Sequence, residues 1–471
     1  MIFNSLIFIA FFAIVLFLHN LPFSWKVKKI NLLAASYIFY AAWNPPFVVL
    51  LWISTLVDWF AGKRVSLARR SWSKKAYLIL SLCANLGLLG FFKYGEFLLH
   101  NFSFLLGQLH IHYQPLNPDI ILPVGISFYT FQTMSYTLDI YRGKMGPWPS
   151  FLDFAMFVTF FPQLVAGPIV RAADFLPQCE RPRKGSPRQL GWGLSLIVGG
   201  LFQKIILADT LLAPVGDKVF GAPDKAGLWD AWTGVFAFSG QIFFDFSGYS
   251  TCAIGAALCL GFALTDNFRF PYGAVGFSDF WRRWHISLSS WLKDYLYISL
   301  GGNRRGQVRT FVNIMLTMLI GGLWHGASWC FVVWGGLHGT YLVAERMLRS
   351  VFSGFEVLKR SGAHLCYALL TYFFVGVAYV FFRAVDFTSA FSLLAAMAGG
   401  RSGNMVSPAE VLTVLGINAA LVLTHFALRR SSVEEMAGKM PWGLRAAIIT
   451  GLLLCLALTP GDDRAFIYFQ F

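Results

Sequence analysis

The sequence is a succession of long apolar runs separated by short clusters of lysine and arginine. That alternation constrains the fold more than any single motif. Inside a bilayer every backbone polar group needs an internal partner, so apolar runs of about 20 residues become helices. Only 13% of the residues are charged, against about 25% in a soluble domain. The expectation is an all-α, polytopic transmembrane helical bundle. A single transmembrane domain over residues 1–471 would hold about 11 spans plus shorter re-entrant helices.

The net charge of +15 does not indicate a nucleic-acid partner. The basic residues sit between apolar runs, as in cytoplasmic loops, and form no single basic face with interleaved stacking aromatics. The partner this pattern calls for is the lipid bilayer. The seven cysteines are scattered, and none makes a Cys-x-x-Cys pair or a metal-ligand spacing with histidine, so no metal site is expected. Met1 to Leu18 is apolar, and Lys26, Lys28 and Lys29 follow it rather than precede it. That order favours a retained first helix over a cleaved signal.

Two apolar runs are flanked by basic clusters on both sides. Asn31 to Ala61 is broken by Asn44-Pro45-Pro46 and followed by six basic residues between Gly62 and Lys75. One crossing would put a basic loop outside, and two crossings need about 40 residues. A re-entrant hairpin with its tip at Asn44-Pro45-Pro46 reconciles the two; a proline-kinked single crossing is the alternative. Phe151 to Val170, interrupted by Pro162 and Gly167-Pro168, is a second re-entrant candidate. Asn101 to Asp119 contains no lysine or arginine and is expected to be an outside loop. Lys93 and Glu96 are available to pair near the end of the preceding crossing.

The chemistry is concentrated between Phe280 and Gly326, where His285 and His325 bracket a dense mixture of aromatic and charged residues. Trp324-His325-Gly326 follows Gly321-Gly322, which would let the backbone leave helix geometry and approach a ligand. An imidazole is suited to pull a proton from a hydroxyl; a histidine hydrogen-bonded to a neighbouring helix is the bland alternative. His285 lies in Trp281-Arg282-Arg283-Trp284-His285, which taken alone suits an interface anchor better than catalysis. Arg282, Arg283, Arg304 and Arg305 would attract a polyanionic donor such as coenzyme A, although loop topology explains most of that charge. Asp245, with Ser247, Tyr249 and Ser250, puts a carboxylate and three hydroxyls in one aromatic helix. An isolated carboxylate in lipid is costly, so Asp245 calls for a role. His338, His364, His19 and His425 lack such company and read as structural. A transporter should show internal repeats or paired intramembrane charges, and neither is visible. No Gly-x-Ser-x-Gly, His-Glu-x-x-His or phosphate-binding loop occurs.

Several stretches together resemble the membrane-bound O-acyltransferase family, in its bacterial alginate O-acetyltransferase-type branch. They are Leu122-Pro123-Val124-Gly125-Ile126-Ser127-Phe128-Tyr129, Phe161-Pro162-Gln163-Leu164-Val165-Ala166-Gly167-Pro168, Phe244-Asp245-Phe246-Ser247-Gly248-Tyr249-Ser250, Asn267-Phe268-Arg269-Phe270-Pro271-Tyr272, the Phe280–Gly326 stretch and the ending Phe466–Phe471. The resemblance implies a helical fold around a central funnel, with His325 essential and His285 the second catalytic position. Trp324, Asp245, Ser247, Tyr249, Trp281, Arg282, Arg283 and Asn303 become candidates for the substrate path. Relatives often continue the tyrosine-serine motif with Asp-Met; here Thr251-Cys252 stands there, so any role of that aspartate is lost or passes to Asp245. The implied reaction moves acetyl from cytoplasmic acetyl-CoA, a donor substrate rather than a bound cofactor, across the bacterial inner membrane for O-acetylation of an exopolysaccharide, alginate first. A periplasmic serine-hydrolase-like acetyltransferase partner and a polysaccharide biosynthesis and export complex are implied with it. The alternatives are another acceptor (peptidoglycan, cellulose, or D-alanyl transfer to teichoic acid) or a non-catalytic scaffold or transporter.

Overall fold

The computed structural model describes residues 3–111, 113, 120–351, 361–459, 464, 466 and 467. Among these the secondary structure is entirely helical. Six helices are long and apolar enough to cross a membrane: Pro45–Leu67, Ser71–Gln108, Pro187–Gly221, Leu228–Cys259, Gly362–Arg383 and Pro408–Leu428. Leu6–Asn20, Phe387–Met397 and Trp442–Leu458 are shorter apolar helices. Gln307–His325 and Trp329–Val351 are 19 and 23 residues long. They carry more polar residues, such as Arg309, Asn313, Glu345 and Arg349, and so fall outside the six.

The chain divides into two compact units, Met1–Leu194 with Ala253–Thr265, and Ser195–Cys252 with Asp266–Phe471. In the first, the helix break falls at Asn44-Pro45-Pro46, between Trp25–Ala41 and a 3-10 turn that leads into Val48–Leu67. The arms are 17 and 20 residues long, longer than a dipping hairpin over Asn31–Ala61 requires. The reason is that the flanking cations belong to the helices. Lys29 reaches the buried carboxylate of Asp153, whose other oxygen accepts Trp148 Nε1 at 3.2 Å. Long lysine and arginine stems can cover apolar surface while the head finds a partner.

The Phe151–Val170 segment is broken as its prolines and glycines predict, into Phe151–Thr159 and Phe161–Leu164. Phe154, Phe157, Phe160 and Phe161 are all fully buried. Irregular backbone at depth is tolerated where protein surrounds it, and here it does. Ser71–Gln108, by contrast, is only 17% buried over its apolar window and runs through Asn101. The outside loop expected from Asn101 is therefore helical to Gln108. Asn101 and Ser103 do not break the helix, because their side chains bond back to Phe97 and Leu99 carbonyls at 2.7 and 2.9 Å. Glu96 accepts the Ile120 amide at 3.1 Å. Positions 112 and 114–119 of that loop lie outside the described residues.

A buried polar knot joins three helices of this unit. Asp58 accepts Ser81 Oγ at 2.5 Å, Asn85 Nδ2 at 2.6 Å and Thr137 Oγ1 at 2.7 Å. Asn85 Oδ1 in turn accepts Ser54 Oγ at 2.8 Å. Each buried donor left unmatched would cost about 1–3 kcal/mol, so the knot fixes which faces of Val48–Leu67, Ser71–Gln108 and Ile126–Tyr141 meet.

In the second unit, Leu228–Cys259 contributes Phe243 through Cys252, and its apolar window is 83% buried. A helix enclosed on most sides can carry polar groups only if each has a partner, and that condition shapes the site.

Candidate active site

The Phe280–Gly326 stretch folds wholly within the second unit. Phe277–Trp281 forms a short helix entered through Gly276 at φ 94°. The chain then turns at His285, which adopts φ 42° and ψ 55°. A left-handed conformation costs a non-glycine residue roughly 1–2 kcal/mol, and such strain persists only where the surroundings impose it. Asn267 is what imposes it. Its carbonyl accepts the Ile286 amide at 2.9 Å, and its Oδ1 accepts Ser287 Oγ at 2.6 Å. Its Nδ2 donates to Ser250 Oγ at 3.0 Å, fastening the turn to Leu228–Cys259. In the sequence Asn267 and Ser250 stand only within separate motifs; their pairing across 17 residues carries no local signal.

His325 ends the helix Gln307–His325, and the backbone leaves helix geometry at Gly326 with φ −161°. The preceding glycines do not open the backbone to a ligand, as the sequence suggested. A Cβ on Gly322 would lie 2.2 Å from the Phe331 carbonyl, and one on Gly335 would lie 2.2 Å from the Met318 carbonyl. Gly322 and Gly335 therefore let Gln307–His325 and Trp329–Val351 pack backbone to backbone, the small-residue contact typical of membrane helices. That contact sets where His325 sits.

The two histidines meet. His285 is 0% exposed and His325 is 2% exposed, with ring centroids 6.3 Å apart and planes at 58°. Directly hydrogen-bonded imidazoles bring their centroids to within about 5.3 Å, given an N···N distance near 2.9 Å, so these two rings need a group between them to communicate. Aromatic faces enclose the pair. Phe246 lies 4.6 Å from His285, Trp324 6.0 Å from His285 and 5.1 Å from His325, and Trp334 5.0 Å from His325. The enclosure continues past Trp334 to His338, 4.8 Å away. His338 is fully buried with neither ring nitrogen hydrogen-bonded among the described residues. Trp281 packs against both Trp334 and His338, at 5.8 and 5.1 Å.

The other candidates are placed differently. Asp245 does not face the histidines as an isolated carboxylate. It pairs with Lys204 and accepts the Ile467 amide at 2.7 Å. Lys204, 6% exposed, also donates to Asp209 at 2.9 Å. Lys204 and Asp209 lie on the π-helix Gln203–Leu212 just before Pro214, a proline that lacks the amide needed to continue the ladder. Paired intramembrane charges are not expected from the sequence, yet Lys204, Asp209 and Asp245 are such a set, hidden because 36 residues separate its last two members. Ser247 and Tyr249 are buried, and the Tyr249 ring lies 4.8 Å from Phe466. The terminal motif beyond Ile467 lies outside the described residues. Arg283 is engaged: it pairs with Asp279 at 3.0 Å and donates to the Arg429 carbonyl at 2.9 Å. Arg282 is exposed, 3.8 Å from Asp279. Asn303, Arg304 and Arg305 are exposed in the turn before Gln307–His325.

The structure thus brings His285 and His325 together as a buried pair on adjoining helix ends, walled by aromatics, in an all-helical membrane protein. Residues 144–383 match the model of MBOAT, the membrane-bound O-acyltransferase family. The chain is 37% identical to a probable alginate O-acetylase of Pseudomonas aeruginosa over 94% of its own length and 84% of that protein. Against a probable alginate O-acetylase of Azotobacter vinelandii it is 40% identical over 79% and 73%. Against a peptidoglycan O-acetyltransferase of Helicobacter pylori it is 34% identical over 94% and 91%. The chain belongs to the membrane-bound O-acyltransferase family, and it is an acyltransferase of the O-acetyltransferase kind.

The Asn267 network yields a direct expectation. Asn267→Ala frees the His285 turn from Ser250 and Ser287 while leaving both histidines in place. A shift of about 1 Å in a reacting group can cost ~10²-fold. Acetyl transfer in isolated membranes should fall by up to that factor in kcat, with donor KM little changed. An effect on KM alone would place Asn267 in binding.

Proposed function

We propose that this protein O-acetylates an exopolysaccharide, alginate in the first instance, with acetyl-coenzyme A as donor on the cytoplasmic face of a bacterial inner membrane. The observation that carries the reading is the buried His285–His325 pair, set in a chain similar to polysaccharide O-acetylases over most of its length. His325 takes the proton of the acceptor hydroxyl. The hydroxyl oxygen attacks the thioester carbonyl, the new C–O bond forms and the C–S bond breaks. The proton held by His325 then passes to the departing thiolate. His285, across the 6.3 Å gap, orients the acceptor or a bridging group. Trp324 and Trp281 wall the path, and Ser247 and Tyr249 line its approach from Leu228–Cys259. Arg304 and Arg305 receive the donor phosphates, and Asn303 shapes that turn. The immediate acceptor is a periplasmic serine-hydrolase-like partner or the polymer itself, within a biosynthesis and export complex. Peptidoglycan is the second reading, supported by the near full-length similarity to the Helicobacter pylori enzyme.

The test of the donor side is topological and kinetic. Basic loops stay inside, so an impermeant thiol reagent applied from outside should reach a cysteine placed at Asn117 and miss one at Ser71. Asn117 lies outside the described residues. The reverse labelling would remove the cytoplasmic donor. In correctly inserted protein, Arg304→Gln with Arg305→Gln should raise the donor KM, and the wild-type KM should rise with salt. Unchanged kinetics would leave these arginines as topology signals.

A further inference from the structure

The second unit holds a cavity of about 820 Å3 whose lining does not include His285, His325 or Trp324. Three helix ends converge on it: the last turns of Trp329–Val351, the first turns of Ser361–Arg383 and the residues just past Pro408–Leu428. Its walls are largely apolar, among them Phe277, Leu348, Leu370 and Phe374. Leu348 and Leu370 are 55% and 50% exposed. These two leucines give the chamber an exposed apolar edge that an acyl chain could cover.

The polar part of the lining is strongly cationic. Arg282, Arg283, Arg349, Arg429 and Arg430 are opposed by only Asp279 and Glu345. Five guanidiniums against two carboxylates leave an excess of three positive charges. Both carboxylates are committed. Asp279 pairs with Arg283 and accepts the Val275 amide at 3.0 Å. Glu345 pairs with Arg349 at 2.5 Å and accepts the Ser278 amide at 2.8 Å. Arg429 has no carboxylate partner among the described residues. Its Nη2 lies 3.4 Å from His364 Nδ1, and its Nη1 is buried with no hydrogen-bond partner. Burying a guanidinium nitrogen without an acceptor is unfavourable, and an arginine fork is shaped for a phosphate.

We propose that this chamber is a binding site for an anionic glycerophospholipid, with the phosphate on Arg429 and Arg430 and an acyl chain along Leu348, Leu370 and Phe374. The combination decides the class of ligand. An apolar trough edged by exposed leucines suits a long chain, which acetyl-coenzyme A lacks, and the unmatched arginines suit a phosphate diester, which a neutral sterol or diglyceride lacks. Positive charge near the end of membrane helices also attracts the anionic lipids of that leaflet.

The full chain, purified in a neutral detergent, tests this. Thermal unfolding and native mass spectrometry would be followed during titration with dioleoylphosphatidylglycerol, dioleoylphosphatidylcholine, acetyl-coenzyme A and inorganic phosphate. The phosphatidylglycerol should bind at one equivalent and raise the unfolding midpoint, and phosphatidylcholine should do so much more weakly. Arg429→Gln with Arg430→Gln should weaken phosphatidylglycerol binding by ~10–30-fold, taking about 1 kcal/mol for each basic residue at an anionic surface, and leave phosphatidylcholine unaffected. Arg430 is exposed, so Arg430→Glu reverses a charge without disturbing packing and should reproduce most of the loss if the double variant folds poorly. Equal binding of the two lipids, or wild-type phosphatidylglycerol affinity in Arg430→Glu and the double variant, would overturn the proposal. Displacement of the bound lipid by acetyl-coenzyme A or phosphate at one equivalent would overturn it as well, because the site would then belong to a soluble phosphate.

Discussion

His325→Gln lowers acetyl transfer by ~10²–10⁴-fold, the usual contribution of a positioned general base, while protein level and membrane insertion stay normal. Glutamine preserves much of the size and hydrogen-bonding capacity of histidine but cannot accept the hydroxyl proton. The helix Gln307–His325 packs on Trp329–Val351 through Gly322 and Gly335, a contact that the substitution leaves untouched. The aromatic walls formed by Trp324, Trp334 and Phe382 also remain. His285→Ala should be milder. It loses the orienting ring but keeps the left-handed turn that Asn267 holds, so turnover falls without vanishing. Thiol release from acetyl-coenzyme A in isolated membranes measures both. Equal losses in the two variants would make the pair a single acid–base unit; a larger loss at His285 would exchange their roles.

Lys204→Met destabilises the protein by about 3–5 kcal/mol, the cost of stripping the partner from a buried charge. Two carboxylates, Asp209 and Asp245, depend on that one ammonium group, and all three side chains are 6% exposed or less. The expected readout is a large fall in the unfolding midpoint in detergent and in the amount of protein in membranes. Adding Asp209→Asn and Asp245→Asn to Lys204→Met should recover most of the loss, because an uncharged polar set no longer needs the cation. If the triple variant is also an inactive but stable protein, the charges serve the reaction. If it is active, they serve the fold, which the Ile467 amide bond to Asp245 favours.

Much of this was legible in the residues, because a bilayer leaves few choices. The apolar runs marked the helices, the prolines marked the break at Pro45-Pro46, and Pro162 marked the buried broken segment. The resemblance, resting on several separated motifs, joined His285 to His325 across 40 residues. Helix ends were harder to place: Asn101 and Ser103 carry polarity but satisfy it within their own helix, so the expected loop is helix. The partners of buried charge were illegible for a different reason. Nothing in the order of residues says that Lys204 meets Asp245, or that Asn267 braces His285 through Ser250, because those pairings are properties of packing. The glycines before Trp324 show the same limit, since a glycine needed for helix contact looks the same in sequence as one needed for a ligand.

The most direct test of the account is the acetyl content of the exopolysaccharide made by cells in which the His325→Gln chain is the only copy. The account predicts a polymer of normal amount with no detectable O-acetyl groups, from membranes that contain the variant at wild-type level, and restoration on return of the wild-type chain. Normal acetylation by the stably inserted His325→Gln protein would contradict it. Normal acetylation from both the His325→Ala and His285→Ala chains would leave the histidine pair without a catalytic part.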